Sequence, residues 1–540
     1  VDFIGFTGFF DMSSSDSEGM PPSQPEASLE AMGEQAATHH EAGHLDQAKE
    51  AYDKLLLAYP DHALSHNNLG DVLLALNQPQ EALISYDRAL AFKPTSAGGQ
   101  SNRGNALMDL GRVGDALASF DIALSLDPDL VAALINRANA LMALEQYEDA
   151  VESCGKALAL APDSPEALHC LGSALLKLLR YEAAVEKLGA AVALAPDDRG
   201  LKNDFQQACF LLSRSYLYQG NFKEGWPLYE ARPKISDIPD GYWTKTVRVP
   251  EFEGQNQDSL TDKNILIQSE QGLGDEIMFA SMIPDVLAIP DVLARHKEIT
   301  FAVDPRLAGL FQRSFPECRV CSRQGTMPEG LVASELDARI FAGSLGRICR
   351  NKPEDFPRSA FLVADPDRRK GLRARLDALG PGKKIGVMWR GGVGGNEEDK
   401  RSMDLVDMTR LLEKGRAEGV HWISLNHLQS GREETDRLFK DTGIRVHHWP
   451  EIIEAQDYDE TAALLAELDV VVSVTGTVAH CAGALGVKTH VLVSYFHEWR
   501  YAAHHDGDML WYGTMALHRQ SAEDRDAWPL DEIAQALCLG

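Results

Sequence analysis

Five prolines, Pro60, Pro94, Pro128, Pro162 and Pro196, stand 34 residues apart without a slip. No other feature of this chain limits its fold so tightly. A constant step of this length means one helical unit repeated, each copy burying its apolar face against the next. Other positions keep the step. Ala48, Ala82, Ala116, Ala150 and Ala184 are small where paired helices must approach, and Tyr52, Tyr86, Phe120, Cys154 and Leu188 follow four residues later on the same face. Gly70, Gly104, Ala138 and Gly172 keep a small position in each first helix, with Leu73, Leu107, Leu141 and Leu175 three residues on.

The step is that of the tetratricopeptide (TPR) helix pair, so residues 29–233 read as a TPR array. A sixth, irregular pair closes it over 207–233. There Trp226, Tyr229 and Pro233 break the pattern, as a terminal repeat that docks on something else would. Asparagine also recurs, as Asn68, Asn102 and Asn136 in one row and Asn105 and Asn139 in another. Asparagine is a poor helix-interior residue, so the rows need a reason. Capping or inter-repeat hydrogen bonding is one; a ladder of amides for a peptide backbone in the groove is the other. The ladder is short, because the next equivalent position is Cys170.

At 540 residues the chain has room for about three or four domains. Its net charge of −29 argues against nucleic acid as a partner, since phosphate backbones repel such a surface. Eight scattered cysteines fit a reducing, cytoplasmic setting, and "CRVC" (318–321) lacks the second half of a metal site, so it reads as strand. No apolar run is long enough for a membrane span. Residues 1–28 read as a disordered segment, with Met12 a plausible alternative start, and 234–262 as a linker.

From 263 strands alternate with helices, predicting two Rossmann-like halves, 263–364 and 365–540. "NILIQS", "EITFAV", "ARIFA" and "AFLVA" are the strands of the first half; "KKIGVMWRGG", "VHWISLN", "LDVVVSV" and "THVLVSY" are those of the second. The first turn, "EQGLGDEI", resists the usual phosphate-binding readings. Ile277 replaces the third glycine of a dinucleotide fingerprint, and Asp275 follows the last glycine where a P-loop needs lysine. Helix capping by Asp275 is the bland explanation.

"EQGLGDEIMFA", "GVMWRGG", "KRSMDL", "VSVTGTVAHCAGALG", "EWRY" and "WYGTMALHRQ", in this order, resemble the TPR-fused bacterial glycosyltransferases. Their catalytic part is similar to lipopolysaccharide heptosyltransferases, and the arrangement resembles flagellin-modifying protein O-glycosyltransferases. The resemblance implies an α plus α/β chain: a TPR superhelix followed by a GT-B fold of two Rossmann-like halves, acceptor on the first and sugar nucleotide on the second. It implies an inverting, metal-independent transferase with no cofactor beyond its sugar-nucleotide donor. Asp275 matches the family's catalytic base. Arg390, Lys400, Arg401, Thr475, Gly476, Thr477 and His480 fall where the donor phosphate would bind. The asparagine ladder resembles that of protein O-GlcNAc transferases and would hold a protein acceptor, flagellin being favoured. Trp499, Arg500, Trp511 and Tyr512 read as a packing wall.

One departure from the family bears on the donor. Thr475 stands where heptosyltransferases carry an aspartate. A CMP-activated nonulosonic acid, pseudaminic or legionaminic in type, has a carboxylate on the carbon bearing the phosphate. An aspartate there would repel it, whereas threonine can donate a hydrogen bond. That favours a CMP-linked donor over UDP-GlcNAc or ADP-heptose. The alternative from another class is a non-catalytic TPR adaptor or chaperone with a decayed GT-B part.

Overall fold

The computed structural model describes residues 24–232, 241–252, 254, 260–261, 263–289, 298–391, 401–427, 430–453, 457–495, 499–502, 509–521 and 527–539. The chain divides into two compact units between Leu212 and Ser213.

The first unit is a run of helix pairs, from Gln24–Glu41 with Leu45–Ala58 to Pro165–Lys177 with Tyr181–Leu194. The 34-residue step has a direct steric cause. A Cβ added at Gly70 would lie 2.4 Å from the Tyr86 ring, at Gly104 2.4 Å from Phe120, and at Gly172 2.6 Å from Leu188. Each pair spans 16 positions, and the large member is buried. The third pair solves the same problem differently, with Ala138 opposite the smaller Cys154, both buried. The first helix starts earlier than the sequence suggests. It begins at Gln24, inside the segment expected to be disordered. The division between the units falls within the Arg199–Tyr218 helix, the first of the irregular pair expected over 207–233.

The second unit holds two parallel sheets with helices. In the first, the order is β3-β2-β1-β4, from β1 (Ile265–Gln268), β2 (Ile299–Val303), β3 (Arg319–Ser322) and β4 (Ala338–Phe341). In the second it is β10-β9-β8-β5-β6-β7, from β5 (Lys384–Met388), β6 (His421–Ser424), β7 (Val446–His447), β8 (Val470–Val474), β9 (Thr489–Val493) and β10 (Met515–Arg519). Strands β1, β2, β4, β5, β8 and β9 are buried on both faces, which is why they read as unbroken apolar runs. "AFLVA" is not a strand. Phe361 and Leu362 instead donate their backbone N–H groups to the Ala484 carbonyl, 2.9 and 3.0 Å away. "CRVC" contributes β3, and burial pushes its thiols up, Cys318 to about 12 and Cys321 to about 11.

The expected linker is also packed structure where it is described. Trp243 is buried and donates its indole N–H to the Ser322 carbonyl (2.7 Å), and Phe252 N donates to the Arg339 carbonyl (2.8 Å). The helix Phe222–Tyr229 belongs to this unit. Trp226 donates to the Arg350 carbonyl (2.6 Å) and, with Tyr229, packs edge-on against Trp499.

Candidate active site

Each sheet reverses its strand order once, between β1 and β4 and between β5 and β8. Ligands of open parallel sheets bind outside the carboxyl ends of the strands at such points. The two points are built alike and charged oppositely. Two residues past β1 stands Glu270; two past β5 stands Arg390. Two residues past β4 stands Gly343; two past β8 stands Gly476.

The first point is closed by the chain itself. Glu270 takes three hydrogen bonds from Arg232, at 2.7–3.0 Å, and one from Gly343 N at 3.0 Å. The Arg232 side chain has no exposure and its guanidinium lies over the Tyr229 ring. A Cβ at Gly343 would sit 2.6 Å from a Glu270 oxygen and 3.0 Å from Tyr229. At the second point no described residue comes within 4 Å of a Cβ added at Gly476. Gly391 there lets β5 approach its neighbour, since its Cβ would meet the Thr475 carbonyl at 2.9 Å.

The turns after β1 and β8 meet. Each opens a helix, Leu273–Ala280 and Thr477–Ala484, and a Cβ at Gly274 would lie 3.5 Å from Thr477 Cα and 3.2 Å from the His480 ring. This close approach is what the glycine of "GLGD" serves. Asp275 is not the cap: Gly272 holds the N-cap position, and Asp275 is the third helical residue. Its carboxylate is paired with Arg500, which also donates to Gln271 (3.0 Å). Gln271 is held by the Tyr229 hydroxyl and adopts a left-handed φ of 62°. Both members of the Asp275–Arg500 pair keep some exposure, 17% and 13% of their side chains.

Next to Asp275, Glu276 points the other way, into the sheet. It is fully buried against Arg323 (2.8 Å) and Asp304 N (2.9 Å), and burial pushes its carboxyl up to about 7.

Several donor-phosphate candidates stand differently from expectation. His480 is buried, with Nδ1 3.1 Å from the Tyr512 hydroxyl and Nε2 2.9 Å from that of Tyr501. Both ring nitrogens are thus taken, and burial with the Arg500 charge nearby pushes the ring down to about 3. It orders the site as a neutral ring and does not present a donor to a phosphate. Arg390 is held by Glu434 (3.1 Å) and Asp404 (2.9 Å). Thr475 is buried, and Thr477 is half-buried at the helix start. Arg401 sits beside Gly391 through its backbone, and Lys400 lies outside the described residues.

Arg500 is the residue that sequence reasoning placed wrongly. In "WRY", Trp499 and Tyr501 do pack, while Arg500 turns to the acid 225 positions earlier. An ionic partner so distant leaves no local signal. Tyr501 is equally placed, its hydroxyl accepting from Gly476 N (3.0 Å). Among the described residues no group of three or more His, Cys, Asp or Glu could hold a metal ion.

In the array, the asparagines make an inter-repeat seam. Asn102 donates to Asp71 (3.0 Å) in the preceding repeat, and the Cys170 thiol donates to Asn139 (3.3 Å), the same offset of 31 positions. Asn68 donates to the Tyr52 hydroxyl (3.3 Å). Asn136 is buried, and its carbonyl oxygen and that of Asn105 have no partner among the described residues. The structural reading therefore accounts for Asn68, Asn102 and Asn139, and leaves an acceptor at Asn105 and at Asn136.

Repeats and site together define a TPR-containing protein with a C-terminal α/β part. The tetratricopeptide repeat profile matches residues 35–97 and 101–165. Among characterised proteins, the chain is similar to Protein FlbA of Caulobacter vibrioides, 32% identical over 307 residues. The match covers 54% of this chain and 49% of FlbA, so the chain spans about half the length of that relative. Solved structures similar to it include TTC0263, a thermophilic TPR protein of Thermus thermophilus, with 22% identity over 33% of this chain and 98% of that one (TM-score 0.30). Another is PilF of Pseudomonas aeruginosa, with 19% identity over 38% and 90% (TM-score 0.33). No described helix is long and apolar enough to cross a membrane.

Proposed function

We propose that the protein is an inverting protein O-glycosyltransferase of GT-B type. The observation that carries this reading is the meeting of the two turns. Gly274 abuts Thr477 of the second sheet's turn, and the next residue, Asp275, carries a partly exposed carboxylate; the switch point of that sheet carries Arg390. The second point keeps the open Gly476 turn for a donor phosphate, while the first is already filled by Glu270 and Arg232. The acceptor hydroxyl would attack the anomeric carbon and give its proton to Asp275, as the sugar–phosphate bond breaks with its electron pair leaving on the nucleotide. The helix N-terminus beside Gly476 favours that anion. The acceptor is a Ser or Thr of a protein held by the TPR array; flagellin is favoured from the sequence resemblance. Thr475, in place of the aspartate of the heptosyltransferases it resembles, favours a CMP-linked nonulosonic acid as donor. The setting is the cytoplasm.

Coexpression with flagellin and sugar-nucleotide synthesis genes tests the reading through a mass shift on flagellin. An unmodified acceptor across CMP-, UDP- and ADP-linked donors would refute it. The sealed His480 and the ion-paired Arg390 favour a second reading, a binding protein whose α/β part no longer transfers. That reading predicts acceptor capture without modification.

A further inference from the structure

We propose that Arg500 is a shared guanidinium: it holds Asp275 when no donor is bound, and passes to the donor phosphate when one arrives, releasing the base. This rests on the transferase reading above. Three observations lead to it. Arg500 is a cation standing where the two turns meet, bonded on one side to Asp275 and Gln271 of the first turn. Its neighbour Tyr501 is bonded to Gly476 of the second, so the short segment Trp499–Tyr501 touches both. Of the other basic residues expected at the phosphate, Arg390 is engaged by two carboxylates, and His480 is a neutral ring held by two tyrosines.

The chemistry suits an exchange. A guanidinium's planar fork binds carboxylate and phosphate in the same geometry, so one anion can replace the other at small net cost. Asp275 cannot accept a proton efficiently while its lone pairs face Arg500. Once the fork turns to the phosphate, the carboxylate faces the acceptor hydroxyl, and the positive charge lies where the leaving group gains negative charge. Binding of donor before acceptor follows from this arrangement. Arg500 touches the leaving group in this scheme, and Tyr501 is a positioning residue through Gly476.

Calorimetric titration of the full chain with CMP, UDP and ADP tests it, on wild type, Arg500→Gln, Asp275→Asn and the double variant. Whichever nucleotide binds wild type should bind Arg500→Gln about tenfold more weakly. It should bind Asp275→Asn several-fold more tightly, because the competitor for Arg500 is gone. In the double variant that gain should vanish. If the gain survives there, Asp275 merely repelled the phosphate, and the sharing is overturned. Unchanged affinity in Arg500→Gln also overturns it, and leaves the transferase reading standing. If none of the three nucleotides binds wild type, both readings fall together. Should Arg500→Gln not fold, Arg500→Lys keeps the charge without the fork; it should show weakened binding, and wild-type affinity there would count against the proposal.

Discussion

The two sheet reversals differ by a charge and by what fills them. At β1/β4 the chain places a carboxylate, Glu270, and neutralises it with its own Arg232, fully out of water. At β5/β8 it places a guanidinium, Arg390, against partly exposed acids, 19% for Glu434 and 66% for Asp404. One crevice has become a structural joint for the segment that follows the repeats. The other keeps the features of a ligand site. A duplicated architecture thus need not carry a duplicated function, and the side chain two residues past a central strand tells the two apart.

The largest effect expected is on chemistry at the seam. Asp275→Asn should lower transfer to flagellin by about 10²–10⁴-fold while the melting temperature stays near wild type, because the amide cannot take the proton. Near-normal turnover would remove Asp275 from the mechanism. Stability should then separate the two crevices. Arg232→Ala strands Glu270, whose side chain is only 9% exposed, and should cost about 3 kcal/mol in denaturant unfolding. Arg390→Ala breaks a more exposed pair and should cost about 1 kcal/mol or less. Equal losses would erase the contrast between the two crevices.

The repeats give a smaller effect. Replacing Asn105 and Asn136 together with Ala, the two whose carbonyl oxygens have no partner among the described residues, should weaken flagellin pull-down, each lost hydrogen bond being worth about 0.5–1.5 kcal/mol. Unchanged capture with a lowered melting temperature would assign the rows wholly to the inter-repeat seam. Next come the paired glycines. Gly343→Ala drives a methyl into Glu270 and Tyr229 and should destabilise by about 1–3 kcal/mol. Gly476→Ala meets no described residue within 4 Å and should stay within about 0.5 kcal/mol, any loss appearing in nucleotide affinity.

The smallest effect concerns pH. Burial pushes the Asp71 carboxyl up to about 7, against a hydrogen bond from the Tyr86 hydroxyl that lowers it. With the folded value above the unfolded one, near 3.8, the folded array binds the extra proton. This contribution is complete below the unfolded value and fades as pH rises to about 7. Asp71→Asn should therefore flatten the pH dependence and raise the melting temperature at pH 8 by about a few degrees at most. A variant with the wild-type slope between pH 4 and 7 would place the titration elsewhere.

The array was legible because its rule is local and repeated: the small residue and its ring partner recur in one register. The central strands were legible because burial on both faces makes them apolar throughout. Edge strands β7 and β10 carry intermediate positions and polar residues such as His447, His518 and Arg519, so they escaped notice. Trp226 marked the terminal pair as one that docks, but what it and Arg232 dock on was not legible, since Arg350 and Glu270 lie far along the chain. The site was half legible. "GLGD" and "TGT" mark turns by composition, but that Gly274 abuts Thr477, that His480 is sealed by two tyrosines, and that Asp275 faces Arg500 are facts of tertiary approach.

The glycine and ring of each repeat have a consequence for how such an array can change. Gly70 with Tyr86, Gly104 with Phe120 and Gly172 with Leu188 each share one fixed volume, and Ala138 with Cys154 divides it in another ratio. A recombination crossover between the two members, for instance between Gly104 and Phe120, would join the methyl of one repeat to the ring of another. Crossovers at the prolines would exchange whole, matched units. Viable shuffling of this array is therefore confined to junctions that never part a small residue from the partner 16 positions on.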